Sequence, residues 1–421
     1  ESNILKISKR TSQELLRRHG KNQGRSGSQW AGCRLSGRVL MSSIGRVQTR
    51  FATFDEGLRL HDGSRLAPLT LAYEIYGDLN EQRSNAVLVF HALSGSQHAA
   101  GINDDVPGLG EKWNEDVHTG WWDSFIGPGR ALDTNKIAVI CANYVGSCYG
   151  STGPSSTNPA TGKPYGSAFP RINLADVVDS QVALLDHLGI ERLHAVIGGS
   201  VGGLMALSLA TRYPERVDVV IPIAAGLTVT ALQRIHNFEQ SLAIENDPMF
   251  NGGDYYEGPQ PDRGLSLARM IGHKTFVSLH AMEERARSEV VDRDETGGYV
   301  QITNPLESYM WHQGAKFVAR FDANSYLHIM ELWQTFDLLA QAGADGLNEL
   351  LKRCRGQRFM VFSIDSDVCF YPDEQEELAA ALKRAGVPVR RITVHSDRGH
   401  DAFLLEPALF APHLRDSLTP D

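Results

Sequence analysis

The chain contains short, continuous apolar runs of the kind that form parallel strands covered on both faces of a sheet. Ala86-Val-Leu-Val-Phe and Ile137-Ala-Val-Ile-Cys are two such runs. After the second run, apolar residues recur at helical spacing over positions 176–188. Residues 49–54 and 69–76 have the pattern of two antiparallel strands that precede these runs. Strands that alternate with helices in this way predict an open α/β sheet, mostly parallel.

The pattern changes between residues 228 and 354, where helical spacing dominates and no stretch has a convincing strand pattern. The helical stretches are 232–242, 265–273, 312–320 and 326–339. Two strand-like runs return after residue 358. We therefore predict a core formed by residues 47–227 and 355–421, with residues 228–354 inserted as a helical lid.

Charge is distributed unevenly along the chain. Residues 1–50 carry eleven Lys and Arg against two Glu, a net charge of +9, whereas the whole chain carries −9 and the remainder therefore −18. Residues 1–46 are basic, rich in Ser and Gly and without an apolar period, which predicts a disordered extension before ordered structure near Val47. An organellar transit peptide has such a composition. We favour the alternative that it is extra sequence upstream of a start at Met41.

The overall composition is that of an ordinary globular protein, with 42% hydrophobic and 22% charged residues. No apolar run approaches the roughly 20 residues of a membrane-spanning helix. The acidic body gives no support for nucleic-acid binding. The five cysteines have no metal-ligand spacing, and their odd number argues against a disulfide framework. Reduced thiols, no metal and a cytoplasmic location are therefore predicted.

One short segment indicates nucleophilic catalysis. A strand-like run ends in Gly198-Gly-Ser200-Val-Gly202 and is followed by a helical pattern. Gly-x-Ser-x-Gly between a strand and a helix is typical of a nucleophile elbow, a turn so tight that small residues must flank the serine. The turn holds the hydroxyl at a helix N-terminus above the end of the strand. Ser200 is therefore predicted to be a nucleophile.

A serine hydroxyl attacks when a base removes its proton, so an elbow predicts a carboxylate and a histidine further along the chain. The strand-like run at 360–364 ends in Asp365-Ser-Asp367, and the run at 391–394 leads to a loop that contains His400. Both groups follow strand ends, where a sheet can present them beside the elbow. The local pattern does not separate Asp365 from Asp367.

Acyl transfer also needs hydrogen-bond donors for the oxyanion that forms on the attacked carbonyl. The backbone N–H of Val201, directly after the serine, is one expected donor. The other should come from the loop after the strand-like run at 86–90. We assign it to the backbone N–H of Leu93 in His91-Ala-Leu-Ser-Gly.

Several strings of this chain resemble those of the homoserine O-acetyltransferases, α/β-hydrolase-fold enzymes of methionine biosynthesis. They are His91-Ala-Leu-Ser-Gly, Gly120-Trp-Trp-Asp, Gly127-Pro-Gly-Arg-Ala-Leu-Asp, Gly150-Ser-Thr-Gly-Pro-Ser-Ser, Gly198-Gly-Ser-Val-Gly-Gly, Arg320-Phe-Asp-Ala-Asn-Ser-Tyr and Gly399-His-Asp-Ala-Phe-Leu. The resemblance runs from about residue 50 to the end. It implies the α/β-hydrolase fold, with Ser200 as the nucleophile, Asp367 as the acid and His400 as the base. It selects Asp367 over Asp365 because the family's acid follows a serine at the strand end.

The resemblance also implies an amino-acid site, in which an arginine of the lid and the aspartate after the catalytic histidine bind the substrate. These residues correspond to Arg269 and Asp401. An Arg fork suits an α-carboxylate, and an Asp suits an α-ammonium group. Two positions depart from the family pattern: Phe276 replaces a tyrosine and removes one hydroxyl contact, and Val201 replaces a methionine. The first departure leaves open whether homoserine is the acceptor.

By this resemblance the enzyme moves an acetyl group from acetyl-CoA to the side-chain hydroxyl of L-homoserine through an acetyl-serine intermediate. No bound cofactor is implied. Succinyl-CoA as the donor and serine as the acceptor are alternatives on the same scaffold. An esterase and an inactive α/β-hydrolase used as a binding module are less favoured. The expected partners are small-molecule substrates, and because family members commonly pair through the lid, a homodimer is also expected.

Overall fold

The computed structural model describes residues 43–288 and 302–418. Residues 1–42, which make up most of the predicted N-terminal extension, lie outside the described part of the chain. Residues 43–46, which we assigned to the same extension, contact a loop of the core. The N–H of Ile102 donates to Gly45 O over 2.9 Å, and Arg46 forms an isolated bridge with Ile102.

The strands of the described chain are β1 Arg50–Phe54, β2 Leu58–Arg59, β3 Arg65–Leu66, β4 Leu69–Tyr76, β5 Ala86–Phe90, β6 Ile126–Gly127, β7 Leu132–Asp133, β8 Ala138–Ala142, β9 Leu193–Gly199, β10 Val217–Ile223, β11 Arg358–Ile364 and β12 Val389–Val394. Eight of them form one sheet in the order β1-β4-β8-β5-β9-β10-β11-β12. β4 is antiparallel to both β1 and β8, and the other pairs in this sheet are parallel. The sheet is therefore mostly parallel with an antiparallel beginning.

Helices follow most of the parallel strands. They are α1 Leu174–His187, α2 Val201–Arg212, α3 Ala231–Glu245, α4 Asp262–Phe276, α5 Leu279–Ser288, α6 Pro305–Val318, α7 Ala323–Gln334, α8 Leu338–Gln341, α9 Leu347–Lys352, α10 Pro372–Arg384, α11 Ala402–Leu405 and α12 Pro407–Leu418. Within the described ranges, none of these helices has both the length and the apolar character that a membrane crossing requires.

The central strands are apolar because side chains on both of their faces are covered. Every residue of β5, β8 and β9 is buried. Alternate side chains enter two different apolar clusters: Leu88 and Ile140 pack in the cluster that contains α1 and α2, whereas Val87 and Val139 pack in the one that contains α12. Burying one such side chain contributes roughly 1.5–3 kcal/mol. This two-sided burial explains the continuous apolar runs.

The register of the parallel strands brings their carboxyl ends to one edge of the sheet. Phe90 lies opposite Gly198, and Ile223 lies opposite both Gly199 and Phe362. The segments that follow β5, β9, β11 and β12 therefore leave the sheet at the same edge. These segments carry the residues that the sequence singled out.

The segment predicted to form the lid, residues 228–354, contains helices α3 to α9 and no strand among its described residues. α4 packs against α3 and α6, and α7 packs against α3. The end of α4 is bonded to the segment after β12. The Asp401 N–H donates to Phe276 O (2.9 Å), and the Ser278 N–H donates to Arg398 O (3.1 Å). These bonds hold part of the lid against the carboxyl edge of the sheet.

Candidate active site

Ser200 lies in the turn between β9 and α2 with φ 59° and ψ −128°. Such a conformation costs a non-glycine residue of order 1–3 kcal/mol. Glycine is needed on both sides, because a Cβ at Gly198 would collide with Gly202 O and a Cβ at Gly202 with Phe90 O. The Ser200 N–H donates to Ile223 O (2.9 Å), and its hydroxyl does not cap α2. The local structure therefore holds the hydroxyl at the start of the helix without using it.

Asp367 follows β11 and is buried, and its two carboxylate oxygens have separate partners. Oδ1 accepts the backbone N–H groups of Cys369 (2.8 Å) and Phe370 (2.9 Å). Oδ2 lies 2.7 Å from His400 Nδ1. The backbone bonds orient the carboxylate, and they leave its second oxygen for the imidazole.

Asp365 lies at the end of the same strand but has different partners. Its carboxylate bonds to the imidazole of His395 (2.8 Å) and to the backbone N–H of Ser396 (3.0 Å) at an exposed part of the edge. The structure therefore pairs Asp367, not Asp365, with His400. This geometry separates two carboxylates that the local sequence pattern left equivalent.

His400 is buried in an aromatic setting. Its ring stacks on Phe370 at a centroid distance of 5.5 Å, and the rings of Phe403 and Phe276 lie 5.6 and 6.3 Å away. Phe403 also lies against Gly199, where an added Cβ would come within 2.5 Å of its ring. The histidine loop, residues 395–401, is thus held next to the strand that ends at the elbow.

The free nitrogen of the imidazole is available for proton transfer. His400 Nε2 is buried and has no hydrogen-bond partner among the described residues, Ser200 included. Burial by itself lowers the pKa of His400. The charge and the hydrogen bond of Asp367, followed by the charges of Asp401 and Glu374, outweigh burial and raise this pKa above its usual range. Activity that needs neutral His400 is therefore expected to fall as the pH drops through this raised pKa.

The two predicted oxyanion donors lie on adjacent segments. Val201 is the first residue of α2, and Leu93 is buried in the loop after β5. No acceptor in the described ranges bonds to either backbone N–H. An added Cβ at Gly202 would come within 2.8 Å of His91 O, so the start of α2 packs on the first residue of that loop. The first turn of a helix also favours negative charge.

Arg269 and Asp401 lie near each other between the lid and the histidine loop. The Arg269 guanidinium lies over the rings of Phe317 (4.9 Å) and Phe276 (5.5 Å). Burial and the charge of Arg320 lower the pKa of Arg269, while burial raises the pKa of Asp401 against the charges of His400 and Arg269. These opposite charges are the groups that a zwitterionic amino acid requires.

Arg320 is a further charged residue near the site, and no sequence pattern predicted a role for it. Its Nη1 donates to Tyr149 Oη (2.8 Å) and to Ser94 O (3.3 Å), so it reaches the loop that carries Leu93. Its guanidinium lies 5.0 Å from the centroid of the Phe317 ring, on which Arg269 also packs. Its only sequence signal is that it begins Arg320-Phe-Asp, one of the strings that resemble the family. The contact with Ser94 spans 226 residues of sequence and was not predictable from that string.

The groups gathered at this site are those of acid–base and nucleophilic chemistry. Within residues 43–288 and 302–418, no three His, Cys, Asp or Glu side chains are grouped as metal ligands. The groups described above have the chemistry expected of a nucleophile, a base, backbone N–H donors and two opposite charges. Together they are suited to acyl transfer to a small charged acceptor.

Comparison with known proteins identifies the fold class of this chain. A profile of the alpha/beta hydrolase fold matches residues 85–407. The eight-stranded sheet and the strand–serine–helix turn have the same organisation. This chain is therefore an α/β-hydrolase-fold protein, and the predicted fold class is confirmed.

Sequence relatives define the family. The chain is 43% identical over 376 residues to the homoserine O-acetyltransferase of Geobacter metallireducens, covering 89% of this chain and 98% of that protein. It is 44% identical over 361 residues to that of Mesorhizobium japonicum, covering 85% and 89%. The chain belongs to the homoserine O-acetyltransferase family, as its motifs predicted. It is an enzyme of this family.

Solved structures share the fold. The crystal structure of the homoserine O-acetyltransferase from Bacillus anthracis matches with a TM-score of 0.78 at 28% identity, covering 89% of this chain and 98% of that one. The crystal structure of esterase E22 matches with a TM-score of 0.79 at 26% identity, covering 89% and 100%. The backbone thus resembles a transferase and an esterase equally, and the family assignment depends on the higher sequence identities.

Proposed function

We propose that this enzyme transfers the acetyl group of acetyl-CoA to the side-chain hydroxyl of L-homoserine, with Ser200 as the nucleophile and Asp367–His400 as the proton relay. Acetyl transfer to homoserine is the reaction for which its family is named. One observation carries the residue assignment. His400 bonds to Asp367 through Nδ1, and its Nε2 has no partner among the described residues, at the sheet edge where Ser200 follows β9.

In the first half-reaction, His400 Nε2 takes the proton of the Ser200 hydroxyl as its oxygen attacks the thioester carbonyl carbon. The C–S bond then breaks, and the thiolate sulfur receives the proton from the imidazolium. CoA thiol departs and an acetyl ester remains on Ser200. The N–H groups of Val201 and Leu93 donate to the oxyanion while the carbon is tetrahedral.

In the second half-reaction, homoserine binds after CoA thiol has left. His400 removes its proton, the oxygen attacks the acetyl carbon, and Ser200 leaves with that proton to regenerate the free hydroxyl. Arg269 binds the α-carboxylate and Asp401 the α-ammonium group. These two contacts hold the hydroxyl in the attack position, so the attack on the acetyl ester becomes effectively unimolecular.

Transfer must be faster than hydrolysis of the acetyl ester. The base is buried among Phe276, Phe370 and Phe403, and the lid is bonded to the histidine loop through Asp401 and Ser278. Apolar walls around the imidazole limit the access of water and strengthen the charges inside the site. The acceptor hydroxyl then competes with few water molecules.

The proposed function is tested by steady-state release of CoA thiol. We expect release that requires both acetyl-CoA and homoserine. Thiol release that does not depend on homoserine would instead indicate a hydrolase. A higher kcat/KM with succinyl-CoA or with serine would indicate a different acyl pair on the same scaffold, and no turnover with any pair would indicate a binding module.

Replacing Arg269 with methionine is expected to raise the KM for homoserine by about 30- to 150-fold, because a charge-assisted bond worth about 2–3 kcal/mol is lost. The KM for acetyl-CoA should change by less than about threefold, since the thioester does not need this cation. Initial rates with each substrate varied separately measure both constants. Arg263→Met, at an exposed position of the same helix α4, is the matched control. An unchanged homoserine response would remove Arg269 from the acceptor site.

We also propose that two copies of the chain pair through the outer side of α3. Four large apolar residues at helical spacing are exposed there: Leu232, Ile235, Phe238 and Leu242. Ile235 and Phe238 are 55% and 61% exposed, which is unfavourable for a stripe in contact with water. α3 belongs to the lid, the region through which members of the family are expected to pair.

Phe238→Glu should shift the enzyme from dimer to monomer, because a charge in an apolar interface is desolvated without a partner. Analytical ultracentrifugation over a range of concentrations measures the equilibrium. Leu279→Glu places the same charge on an exposed apolar residue outside α3 and should leave the dimer intact. A wild-type chain that is monomeric at all concentrations would contradict the pairing.

A further inference from the structure

A second carboxylate lies close to the proposed acid–base pair. Glu374 is the third residue of α10, which begins after the acid loop, residues 365–371. Its Oε1 accepts the backbone N–H of Tyr371 (2.9 Å) and closes a capping box. Unlike an ordinary helix-capping glutamate, Glu374 is half-buried and points toward the chain that follows β10. A Cβ at Gly226 would come within 2.5 Å of its Oε2.

The lid supplies a donor to this carboxylate. Gln233, in the first turn of α3, is buried, and its amide nitrogen donates to Cys369 O (2.9 Å). The same nitrogen lies 3.3 and 3.4 Å from the two carboxylate oxygens of Glu374. One amide group thus joins the first helix of the lid, the acid loop and α10.

The titratable groups that interact electrostatically with Glu374 lie on two loops of the candidate active site. They are Asp367 and the Cys369 thiol in the acid loop and His400 in the histidine loop. Burial raises the pKa of Glu374 to about 7, and the charge of Asp367 acts in the same direction. The hydrogen bonds from Tyr371 and Gln233 and the charge of His400 oppose this increase. Its charge therefore changes near neutral pH.

We propose that Glu374 is a positioning residue that stabilises the imidazolium of His400, and that Gln233 makes this effect depend on the docking of α3. This inference rests on the proposed function, because it requires His400 to be the base. Asp367 binds the imidazole directly, whereas Glu374 acts through space and through the acid loop. The charges of three carboxylates thus act on the imidazolium: Asp367 through a hydrogen bond, and Asp401 and Glu374 through space.

The sign of the effect follows from the charges. Above about pH 7, Glu374 is ionised, favours the imidazolium and so raises the pKa of His400. It also stabilises the imidazolium that forms when Ser200 loses its proton. Below that pH, Glu374 is neutral and both contributions disappear. Removing the charge should therefore slow the plateau rate and move the acidic limb of the pH–rate profile to lower pH.

Glu374→Gln tests the proposal, because glutamine also closes a capping box and retains an oxygen for the Tyr371 N–H. We expect the plateau kcat/KM for acetyl-CoA to fall about three- to tenfold, since one pKa unit of lost interaction corresponds to tenfold. The acidic limb should move down by about half to one pH unit. Glu377→Gln makes the same charge change at an exposed position of α10 and should move neither. If the acidic limb of the pH–rate profile does not move in Glu374→Gln, the proposal is overturned, whatever the change in the plateau kcat/KM.

A readout without turnover separates this inference from the proposed function. NMR of histidine-labelled enzyme measures the pKa of His400 directly, and it should be lower in Glu374→Gln than in the wild type and in Glu377→Gln. If Ser200→Ala loses the acyl-enzyme but the pKa of His400 is the same in all three proteins, only the role of Glu374 fails. If acyl-enzyme survives in Ser200→Ala, the proposed function fails first.

A double-mutant cycle tests the contribution of the lid. Gln233→Ala removes the amide that stabilises ionised Glu374, so it should move the acidic limb in the same direction as Glu374→Gln. In the Glu374→Gln background, Gln233→Ala should cause no further shift. Shifts that add fully would show that Gln233 acts independently of Glu374 and would overturn the coupling.

Discussion

Replacing Ser200 with alanine is expected to abolish acetyl transfer, with a loss in kcat of about 10⁴- to 10⁶-fold. Without the hydroxyl no covalent ester can form, and direct attack by homoserine on the thioester has no prepared geometry. The fold should persist, because alanine at φ 59° has about the same backbone strain as the serine that it replaces. Any residual rate would come from the oxyanion donors and from substrate binding.

Intact mass spectrometry after mixing with acetyl-CoA makes this expectation specific. The wild type should gain one acetyl group in the absence of homoserine and lose it when homoserine is added. Ser208→Ala is a matched control on the same helix α2, since the Ser208 hydroxyl is buried and has no hydrogen-bond partner among the described residues. This control should acetylate normally. An acetyl adduct of equal amount in Ser200→Ala would place the nucleophile elsewhere.

The second large effect is expected for Asp367→Asn, which should lower kcat by about 10⁴-fold. The asparagine can still accept the backbone N–H groups of Cys369 and Phe370, so the acid loop should keep its shape. Its amide cannot stabilise the imidazolium, and it favours the wrong tautomer of His400. The pKa of His400 should fall as well, because the charge that raises it most is removed.

Asp365→Asn provides the comparison within the same loop. Asp365 binds His395 and Ser396 near the surface, so its replacement should change kcat by less than about threefold. Steady-state rates of both variants across a pH series decide between the two carboxylates. The reverse pattern, with Asp365→Asn inactive and Asp367→Asn active, would make Asp365 the acid.

The parts of this protein that local sequence predicts best are those fixed by local sterics. The apolar runs predicted the buried strands, because successive side chains of a strand point to opposite faces and must all be apolar when both faces are covered. The elbow was recognisable from Gly198 and Gly202, because no other residue fits so close to a neighbouring backbone. These predictions needed no information about distant contacts.

Other features depend on contacts between distant segments. Asp365 and Asp367 follow the same strand, and what distinguishes them is the pair of backbone N–H groups at Cys369 and Phe370 together with the path of the histidine loop. Family resemblance supplied that choice where the pattern could not. Glu374 has the sequence signature of a helix-capping acid, and only the packing of α3 brings Gln233 to it. Arg320 was missed for the same reason.

The cytoplasmic location stays a prediction from composition, and residues 1–42 lie outside the described part of the chain. Charge pattern and composition constrain such properties weakly, because they describe segments and not arrangements.

The two backbone hydrogen bonds between the end of α4 and the histidine loop affect how the enzyme can be recombined with its relatives. The Asp401 N–H to Phe276 O bond and the Ser278 N–H to Arg398 O bond attach the loop of His400, the proposed base, to the inserted helices. In a chimaera that exchanges those helices alone, the histidine loop would have to form these hydrogen bonds with helices from another protein. Crossover points that keep residues 276–278 and 395–401 from one parent preserve both hydrogen bonds, although more than 100 residues separate the two stretches.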